Sequence, residues 1–406
     1  MLENLIDSYY PPIGERAQLP ALYMPAAFAV LVFGYAIGRG PLRTTVISSL
    51  LLLFLLWRPH YTAGGVTPDY SLSGGFVIFL LSFLDLSVSN PRWVGRPDKS
   101  SSKKDSSGVA WSDLETWPQR LRWAVRLATT TRGIGWDWQV KGVPAHPDPD
   151  APRFKFVGKR VLDLVWHVAL KSLGVYGIGF CQTVGPAVAL SSPWTGRLLG
   201  VIENWCGATW GWNTIEIAHA GSSAITVLLG IYEPWEWPPM LNSVTEAWSV
   251  RRIWSTAYHQ ILRRIVQQSG IRLARLLGFR KGFIPSRYLQ LYLGFYISFT
   301  IHWYQQYMTT GSDKGEFAFF MMQPVAITIE DFVQWVWGKA VSPKQRQSLR
   351  WFELLVGYVW TFAAFTFMLT PYVKGMARTG VIGLGGPEEI TAMMLGRQHG
   401  AAYLEL

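Results

Sequence analysis

The residue best suited to proton transfer is a histidine inside an apolar stretch of the chain. His302 lies near the middle of RYLQLYLGFYISFTIHWYQQYM at 287–308, with Ser298 one helical turn before it. An unpaired ionisable residue within a membrane span costs roughly 3 kcal/mol or more, so such residues usually line a cavity or serve function. Imidazole also suits general-base catalysis near neutral pH. Two interpretations stay open: a catalytic base, or a neutral ring bonded to Ser298 within a helix bundle.

A second histidine lies among arginines in VTEAWSVRRIWSTAYHQILRRIV at 244–266. Its apolar residues recur at steps of three and four, a spacing that predicts one continuous amphipathic helix. The opposite, polar face carries Arg251, Ser255, His259 and Arg263. His259 is then either a solvated residue of an interfacial helix, or it faces a cavity open to the cytoplasm where the arginines attract an anionic substrate.

Other residues with reactive side chains give weaker indications of function than these two histidines do. Glu216 and His219 are three residues apart, so they share one helical face and either pair with each other or join a relay. The two cysteines, Cys181 and Cys206, form no CxxC motif. The sequence therefore predicts no disulfide framework and no metal site, and we expect both thiols to be buried and inert.

The composition predicts that these residues are carried by an all-α integral membrane protein. Half of the 406 residues are hydrophobic, only 16% are charged, and 21 Trp and 17 Tyr suit the bilayer interfaces. Segments of about 20 apolar residues can cross a bilayer. Eight such spans are predicted, at 21–38, 42–57, 74–89, 161–181, 207–231, 289–308, 317–338 and 351–373.

The net charge of +11 is concentrated in a few loops, which argues against nucleic-acid binding. The loop 89–160 holds 14 Lys/Arg against 7 Asp/Glu, and 241–290 holds nine basic residues and one acid. Eight spans with the N-terminus outside place these loops, and the basic loop 339–350, on the cytoplasmic side. The chain start lacks the basic region of a secretory signal peptide.

These patterns divide the chain into four predicted regions. Residues 1–95 form a three-span region. Residues 96–160 form a cytoplasmic loop, with a Ser/Lys-rich disordered tether at 96–108, an interfacial helix near 117–128 and a proline-rich irregular stretch at 143–153. Residues 161–373 form the core, and residues 374–406 form a C-terminal tail.

Four stretches, in order, resemble the wax-synthase-like branch of the membrane-bound O-acyltransferases, of the type found in fungal secondary metabolism. TTTRGIGWDWQVKGVP at 129–144 resembles the family's "TRGIGW-W" segment, and FYISFTIH at 295–302 resembles its "F--SG--H" motif. The other two are EWPPMLNSVTEAWSVRRIWSTAYHQILR at 236–263 and FFMMQPVAITIEDFVQ at 319–334, with Glu330 and Asp331. The sequence departs from the family at Ile253 and Ser255, which flank Trp254 where the family has Phe-Trp-Gly, and at Phe299, where it has Gly.

The resemblance implies a role for each matching residue. His302 would be the catalytic base and His259 the second site residue, while Gln260 or Ser298 would orient groups or donate to the oxyanion. The matching segments also imply a substrate pocket lined by Trp254, Tyr258, Phe299 and Glu330. The cytoplasmic Arg251, Arg252, Arg263 and Arg264 would contact CoA phosphates or, alternatively, anchor the helix to anionic lipid.

The function implied is transfer of an acyl group, with acetyl-CoA as the expected donor, to a hydroxyl of an apolar terpenoid or meroterpenoid. Acyl-CoA is a co-substrate here, and no bound cofactor is expected. The partners are the small alcohol, acyl-CoA and membrane lipids, in the endoplasmic reticulum or another endomembrane. The alternatives are a long-chain wax-ester synthase, a polytopic transporter using Glu216, His219 and His302, and a scaffold without activity. The sequence shows no paired repeats of the kind expected for a transport core.

Overall fold

A computed structural model describes residues 9–96, 108–280 and 282–382, and helices dominate them. The helices are α1 Tyr23–Ala36, α2 Pro41–Trp57, α3 Val66–Val88, α4 Trp117–Thr129, α5 Arg153–Ser191, α6 Pro193–Leu228, α7 Arg263–Leu276, α8 Ile284–Thr310, α9 Glu316–Ala340, α10 Pro343–Ser348 and α11 Arg350–Arg378. The only strands in these ranges are β1 (Ala17–Gln18) and β2 (Tyr61–Thr62), a short parallel pair with Ala17 opposite Tyr61.

Each of the eight predicted spans coincides with a helix, namely α1, α2, α3, α5, α6, α8, α9 and α11. Four of the helical stretches in the described residues are long and apolar enough to cross a membrane by length and composition: Pro41–His60, Val66–Val88, Arg153–Ser191 and Arg350–Arg378. The chain is therefore a mostly helical membrane protein. A helix is also present near 117–128, as α4, and its position at the membrane interface stays a prediction.

Two compact units make up the fold, and neither is continuous in sequence. The first comprises residues 1–149, 235–242 and 254–312, and so contains α1 to α4, α7 and α8. Its α8 packs against α3 and α7. The buried side chains at this junction are Val77, Leu262, Ile265, Ile301, Tyr304 and Met308. This packing fixes the helix that carries His302.

The second unit comprises residues 150–234, 243–253 and 313–406. Helices α5 and α6 form a hairpin joined at Ser192, and their polar side chains pair with each other: His167 Nδ1 lies 2.7 Å from Asn213 Oδ1. Helix α11 packs on α6, where a Cβ at Gly207 would lie 2.4 Å from Val373, so this approach requires glycine. Polar pairs and small residues hold helices together in lipid, where the hydrophobic effect does not.

The structure differs from one sequence-based prediction, that of the helix over 244–266. The single helix predicted over 244–266 is wrong: the chain forms 3₁₀ turn Val244–Glu246, helical turn Val250–Arg252 and π-helical turn Ile253–Ala257, and only then enters α7. Most of the predicted tether at 96–108, and the tail beyond residue 382, lie outside the described residues. The proline-rich stretch from 143 to 152 forms no helix or strand, as predicted.

Candidate active site

The loop that leads to His259 is held by a buried arginine from the first matching segment. Arg132 is 5% exposed, and its Nη1 and Nη2 donate to the carbonyls of Pro239 and Pro238 at 2.6 and 2.8 Å. Nearby, Arg126 forms an ion pair with Glu236. The first two matching segments therefore pack together. Arg132 belongs to the matching segment at 129–144, but the sequence predicts no role for it.

The turn before His259 is stabilised by side chains that replace helical hydrogen bonds. The Nε2 of Gln260, which is 2% exposed, donates to the carbonyls of Trp254 and Tyr258 at 3.2 and 2.7 Å. Its Oε1 accepts a hydrogen bond from Arg263 at 2.7 Å, and the same arginine donates to the Ser255 carbonyl at 2.7 Å. Both amide hydrogens of Gln260 are therefore engaged. This arrangement suits a residue that holds the turn rather than one that donates to an oxyanion.

His259 lies at the end of this turn, in the connection between α6 and α7. Its ring is 4.6 Å, centroid to centroid, from that of Tyr258, and its Nδ1 is shielded from solvent with no hydrogen-bond partner in another described residue. Burial, with smaller contributions from the charges of His302 and Arg132, lowers the pKa of His259 to about 3. The ring is therefore neutral near pH 7, with one N–H to donate and one nitrogen to accept.

His302 lies on α8, one turn after Ser298, and its Nδ1 is likewise shielded from solvent. The charge of His302 contributes to lowering the pKa of His259, so the two imidazoles lie within electrostatic range of each other, although 43 residues separate them in sequence. The structure thus brings together the two histidines that the resemblance paired.

Aromatic rings surround this part of the first unit. Trp254 contacts Tyr258 and Phe295, with ring centroids 5.4 and 5.5 Å apart, and Phe299 lies 5.7 Å from Tyr296. Three of the four residues predicted to line the pocket, Trp254, Tyr258 and Phe299, therefore belong to the same compact unit as both histidines.

The fourth predicted pocket residue, Glu330, lies in the second unit and holds a turn there. It is 6% exposed, and its carboxylate accepts the backbone N–H groups of Val250 and Arg251 and the Trp360 indole N–H. Its neighbour Asp331 pairs with the Arg251 side chain at 2.5 Å. A pocket role for Glu330 stays a prediction, and the contacts present are structural.

The four arginines expected to bind CoA are all engaged within the protein. Arg251 and Arg252 pair with Asp331 and Glu246 in the second unit. Arg263 holds the turn, and Arg264 binds Asp85 together with Ser89, 2.9 Å away. Contact with CoA phosphates stays a prediction.

Comparison with known proteins agrees with this geometry. The model of the Membrane bound O-acyl transferase family matches residues 237–322, the stretch that contains both histidines. The chain is 27% identical to Acetyltransferase sirH of Leptosphaeria maculans over 93% of its own length and 95% of that protein. The chain is an O-acyltransferase, and its sequence is similar to those of the membrane-bound type. This confirms the resemblance drawn from the motifs.

Other relatives of this O-acyltransferase carry related names. It is 28% identical to Acetyltransferase eriL of Hericium erinaceus, over 89% of this chain and 92% of that protein. It is 34% identical to O-Mevalon transferase macI of Penicillium terrestre, over 60% of this chain and 61% of that protein. No solved structure matches the chain.

Proposed function

We propose that this O-acyltransferase moves an acetyl group from acetyl-CoA to a hydroxyl of an apolar secondary metabolite, a terpenoid or meroterpenoid. The observation that carries the proposal is the pair of partly buried imidazoles, His259 and His302, whose Nδ1 atoms are shielded from solvent and which lie within the stretch matched by the family. The acetyl donor is supported by the names of relatives that align over most of their length. The apolar acceptor is supported by the aromatic rings around the pair.

His302 is the general base in this proposal. A hydroxyl has a pKa far above 7, so it becomes a good nucleophile only if a base within about 3 Å takes its proton during attack. The hydroxyl oxygen bonds to the thioester carbonyl carbon while His302 takes the proton. The carbon–sulfur bond then breaks, the CoA thiolate receives the proton from His302, and the ester is released. No covalent acyl-enzyme forms.

His259 stabilises the negative charge on the carbonyl oxygen during this step. A neutral imidazole carries one N–H, and a donor already in place in a dry site costs no reorganisation when the charge develops. Ser298, one turn before His302, is a second donor of this kind. Trp254, Tyr258 and Phe299 form the apolar wall against which the acceptor packs.

The membrane setting completes the proposal. The eight helices that coincide with predicted spans each cross the bilayer, with the N-terminus outside and the basic loops in the cytoplasm, where CoA is available. Residues 161–373 act as the catalytic core. The enzyme resides in the endoplasmic reticulum or another endomembrane.

The test is ester formation by membranes that contain the protein. Membranes are incubated with isotope-labelled acetyl-CoA, a panel of terpenoid alcohols and, separately, acyl-CoAs of increasing chain length, and esters are identified by mass spectrometry. We expect labelled acetyl ester with at least one alcohol. His302→Ala should lower the rate by about 10²- to 10⁴-fold, the usual contribution of a general base.

His167→Ala is the matched control, because His167 also lies in a long apolar helix but pairs with Asn213 in the other unit. Its activity should stay within a few-fold of the parent. No ester from any donor, with folded protein present, would overturn the proposal. Wild-type activity in His302→Ala would overturn the assignment of the base. Esters formed only from long-chain donors would instead favour a wax-ester synthase.

A further inference from the structure

The segment 132–142, within the first matching stretch, takes no part in the proposed mechanism, yet it packs against the turn at 254–263 that carries His259. Both belong to the same compact unit. The segment folds back on itself, because the backbone N–H of Val140 donates to the carbonyl of Arg132 at 3.0 Å. Its two ends and its middle each contact the turn or the residues next to it.

The first contact runs through the loop before the turn. Arg132 donates to the carbonyls of Pro238 and Pro239, as described above. Three residues further along this loop, the backbone N–H of Asn242 donates to the carbonyl of Ala257 at 2.9 Å. Arg132 therefore supports the turn indirectly, from the side of the loop.

The second contact is made by Trp138 with the arginine that directly follows the turn. The guanidinium carbon of Arg264 lies 4.5 Å from the centroid of the Trp138 ring, a distance at which the ring face attracts a cation. The same guanidinium pairs with Asp85 and donates to Ser89. Arg264 is thus held between α3 and the Trp138 ring, and the start of α7 is held with it.

The third contact is the backbone of Gly142, which lies directly against the turn. A Cβ at Gly142 would be 2.8 Å from the carbonyl oxygen of Ser255, closer than real Cβ atoms come, and 3.1 Å from Nη1 of Arg263. These two groups are hydrogen-bonded to each other at 2.7 Å. The φ of Gly142 is +84°, in the left-handed region that favours glycine. A methyl group here would push this hydrogen bond, and the turn, out of place.

We propose that the segment 132–142 is a platform that positions His259, and that Trp138 and Gly142 are its positioning residues. Their contacts fix the chain four residues before His259 and five residues after it. A donor to a developing oxyanion must already lie within hydrogen-bond distance of it, so a shift of about 1 Å removes most of the effect. This inference rests on the proposed function of His259 as that donor.

The first test is steady-state kinetics on the full-length protein in membranes or detergent, with acetyl-CoA and an alcohol identified by the panel above. Gly142→Ala should lower kcat by about 10- to 100-fold, with KM for both substrates within about twofold, because the platform touches the turn and neither substrate. Gly278→Ala is the matched control. Gly278 also has a positive φ, of +72°, but nothing lies within 4 Å of a Cβ there, so kcat should stay within about twofold of the parent.

A pair of substitutions tests the ring contact. Trp138→Phe keeps an aromatic face for Arg264 and should retain kcat within about threefold, whereas Trp138→Leu removes that face and should lower kcat by about 10-fold. Trp111→Leu is the control. Arg120 lies over the Trp111 ring in the same way, at 4.7 Å, but the Trp111 indole donates to the carbonyl of Ala36 instead of supporting the turn. Its kcat should stay within about twofold of the parent.

A double-mutant cycle with His259 separates positioning from loss of stability, with each rate expressed per mole of folded protein. His259→Ala removes the donor and should itself lower kcat by about 10²- to 10³-fold. Gly142→Ala should then cause less than about threefold further loss, a clear departure from additivity, because no donor is left to misplace. A general effect on folding would lower the rate by the same factor in both backgrounds.

Four results would count against the inference. Gly142→Ala and Trp138→Leu with kcat within twofold of an active parent would overturn it alone, as would equal losses with and without His259, and the proposed function would stand. Parental activity in His259→Ala would remove the donor from the mechanism and the platform with it, while ester formation itself stood. A parent protein that forms no ester would overturn the proposed function, and this inference with it.

Discussion

The carboxylate of Glu330 accepts the backbone N–H of Val250 at 2.5 Å, and so fixes the start of the helical turn Val250–Arg252. Two further donors, the Arg251 N–H and the Trp360 indole, reach the same carboxylate at 3.0 and 2.9 Å. Burial raises the cost of leaving any of these donors without a partner. Glu330 therefore supports the segment 243–253 within the second unit.

This arrangement predicts that Glu330 and Asp331 differ sharply in importance. Glu330→Ala leaves three donors unsatisfied in a buried place and should destabilise the protein by about 3 kcal/mol or more. Asp331→Ala removes an ion pair whose side chains are 39% and 23% exposed, and such a pair is worth less than about 1 kcal/mol. Thermal unfolding in detergent measures both. Equal shifts in melting temperature would contradict the assigned role of Glu330.

Arg263 offers a second test, because the structure and the sequence suggest different roles for it. Its guanidinium donates to the Ser255 carbonyl and to Gln260 within the turn. If that is its function, Arg263→Ala should lower kcat and the melting temperature together and leave KM for acyl-CoA within about twofold.

Arg251→Ala is the comparison variant for Arg263, since the Arg251 side chain is 39% exposed and pairs with a single carboxylate. It should leave the melting temperature almost unchanged. A selective rise in KM for acyl-CoA in Arg263→Ala, at unchanged stability, would show instead that this arginine contacts the phosphates.

The turn around Gln260 also shows where sequence reasoning stops. Apolar periodicity correctly located the long helices, because each must bury one face or meet lipid along its whole length. The same periodicity wrongly predicted a continuous helix over 244–266. There, hydrogen bonds donated by Gln260 and Arg263, and one accepted by Glu330, which is 80 residues from its donor Val250, replace the helical pattern.

The candidate site, like the fold, is predictable from the sequence only in part. The family motifs identified His259 and His302, and an imidazole within the apolar stretch at 287–308 singled out His302 independently. Nothing in the sequence indicates that Arg132 binds Pro238 and Pro239, or that Gln305 meets Tyr70 and Gly74. Those pairings join distant segments and follow only from the packing of whole helices.

The depressed pKa of His259 makes stability depend on pH in a predictable direction. Burial lowers this pKa to about 3 in the folded protein, against about 6.5 in the unfolded chain. The stability that comes from the neutral ring is fully present above about pH 6.5. It declines as the pH falls towards 3, by about 3 kcal/mol at pH 4.5, since each pKa unit corresponds to about 1.4 kcal/mol.

Melting temperatures of the wild-type protein and of His259→Gln between pH 7.5 and 4.5 measure this effect. Glutamine does not titrate, so the variant should lose less stability over that range than the wild-type protein does. His60→Gln is the control, because His60 packs against the Trp57 ring outside the site, and its pH dependence should match the wild type. Identical pH dependence in His259→Gln and the wild type would show that His259 is solvated.

Phe299 predicts how the donor preference can be changed. It replaces a glycine of the family pattern, and lies three residues before His302, beside Tyr296. A benzyl group there takes up space that a longer acyl chain would need. Phe299→Ala should therefore raise kcat/KM for butyryl- or hexanoyl-CoA relative to acetyl-CoA by about 10-fold or more, since one methylene in an apolar pocket is worth about 1–3 kcal/mol. Competition between donors in one reaction, with esters separated by mass, gives this ratio directly.

Tyr296→Ala removes the adjacent ring, which is 49% exposed, and should leave the ratio unchanged. If both variants shift the ratio equally, the chain-length limit lies elsewhere on α8, and if neither does, Phe299 does not border the acyl group.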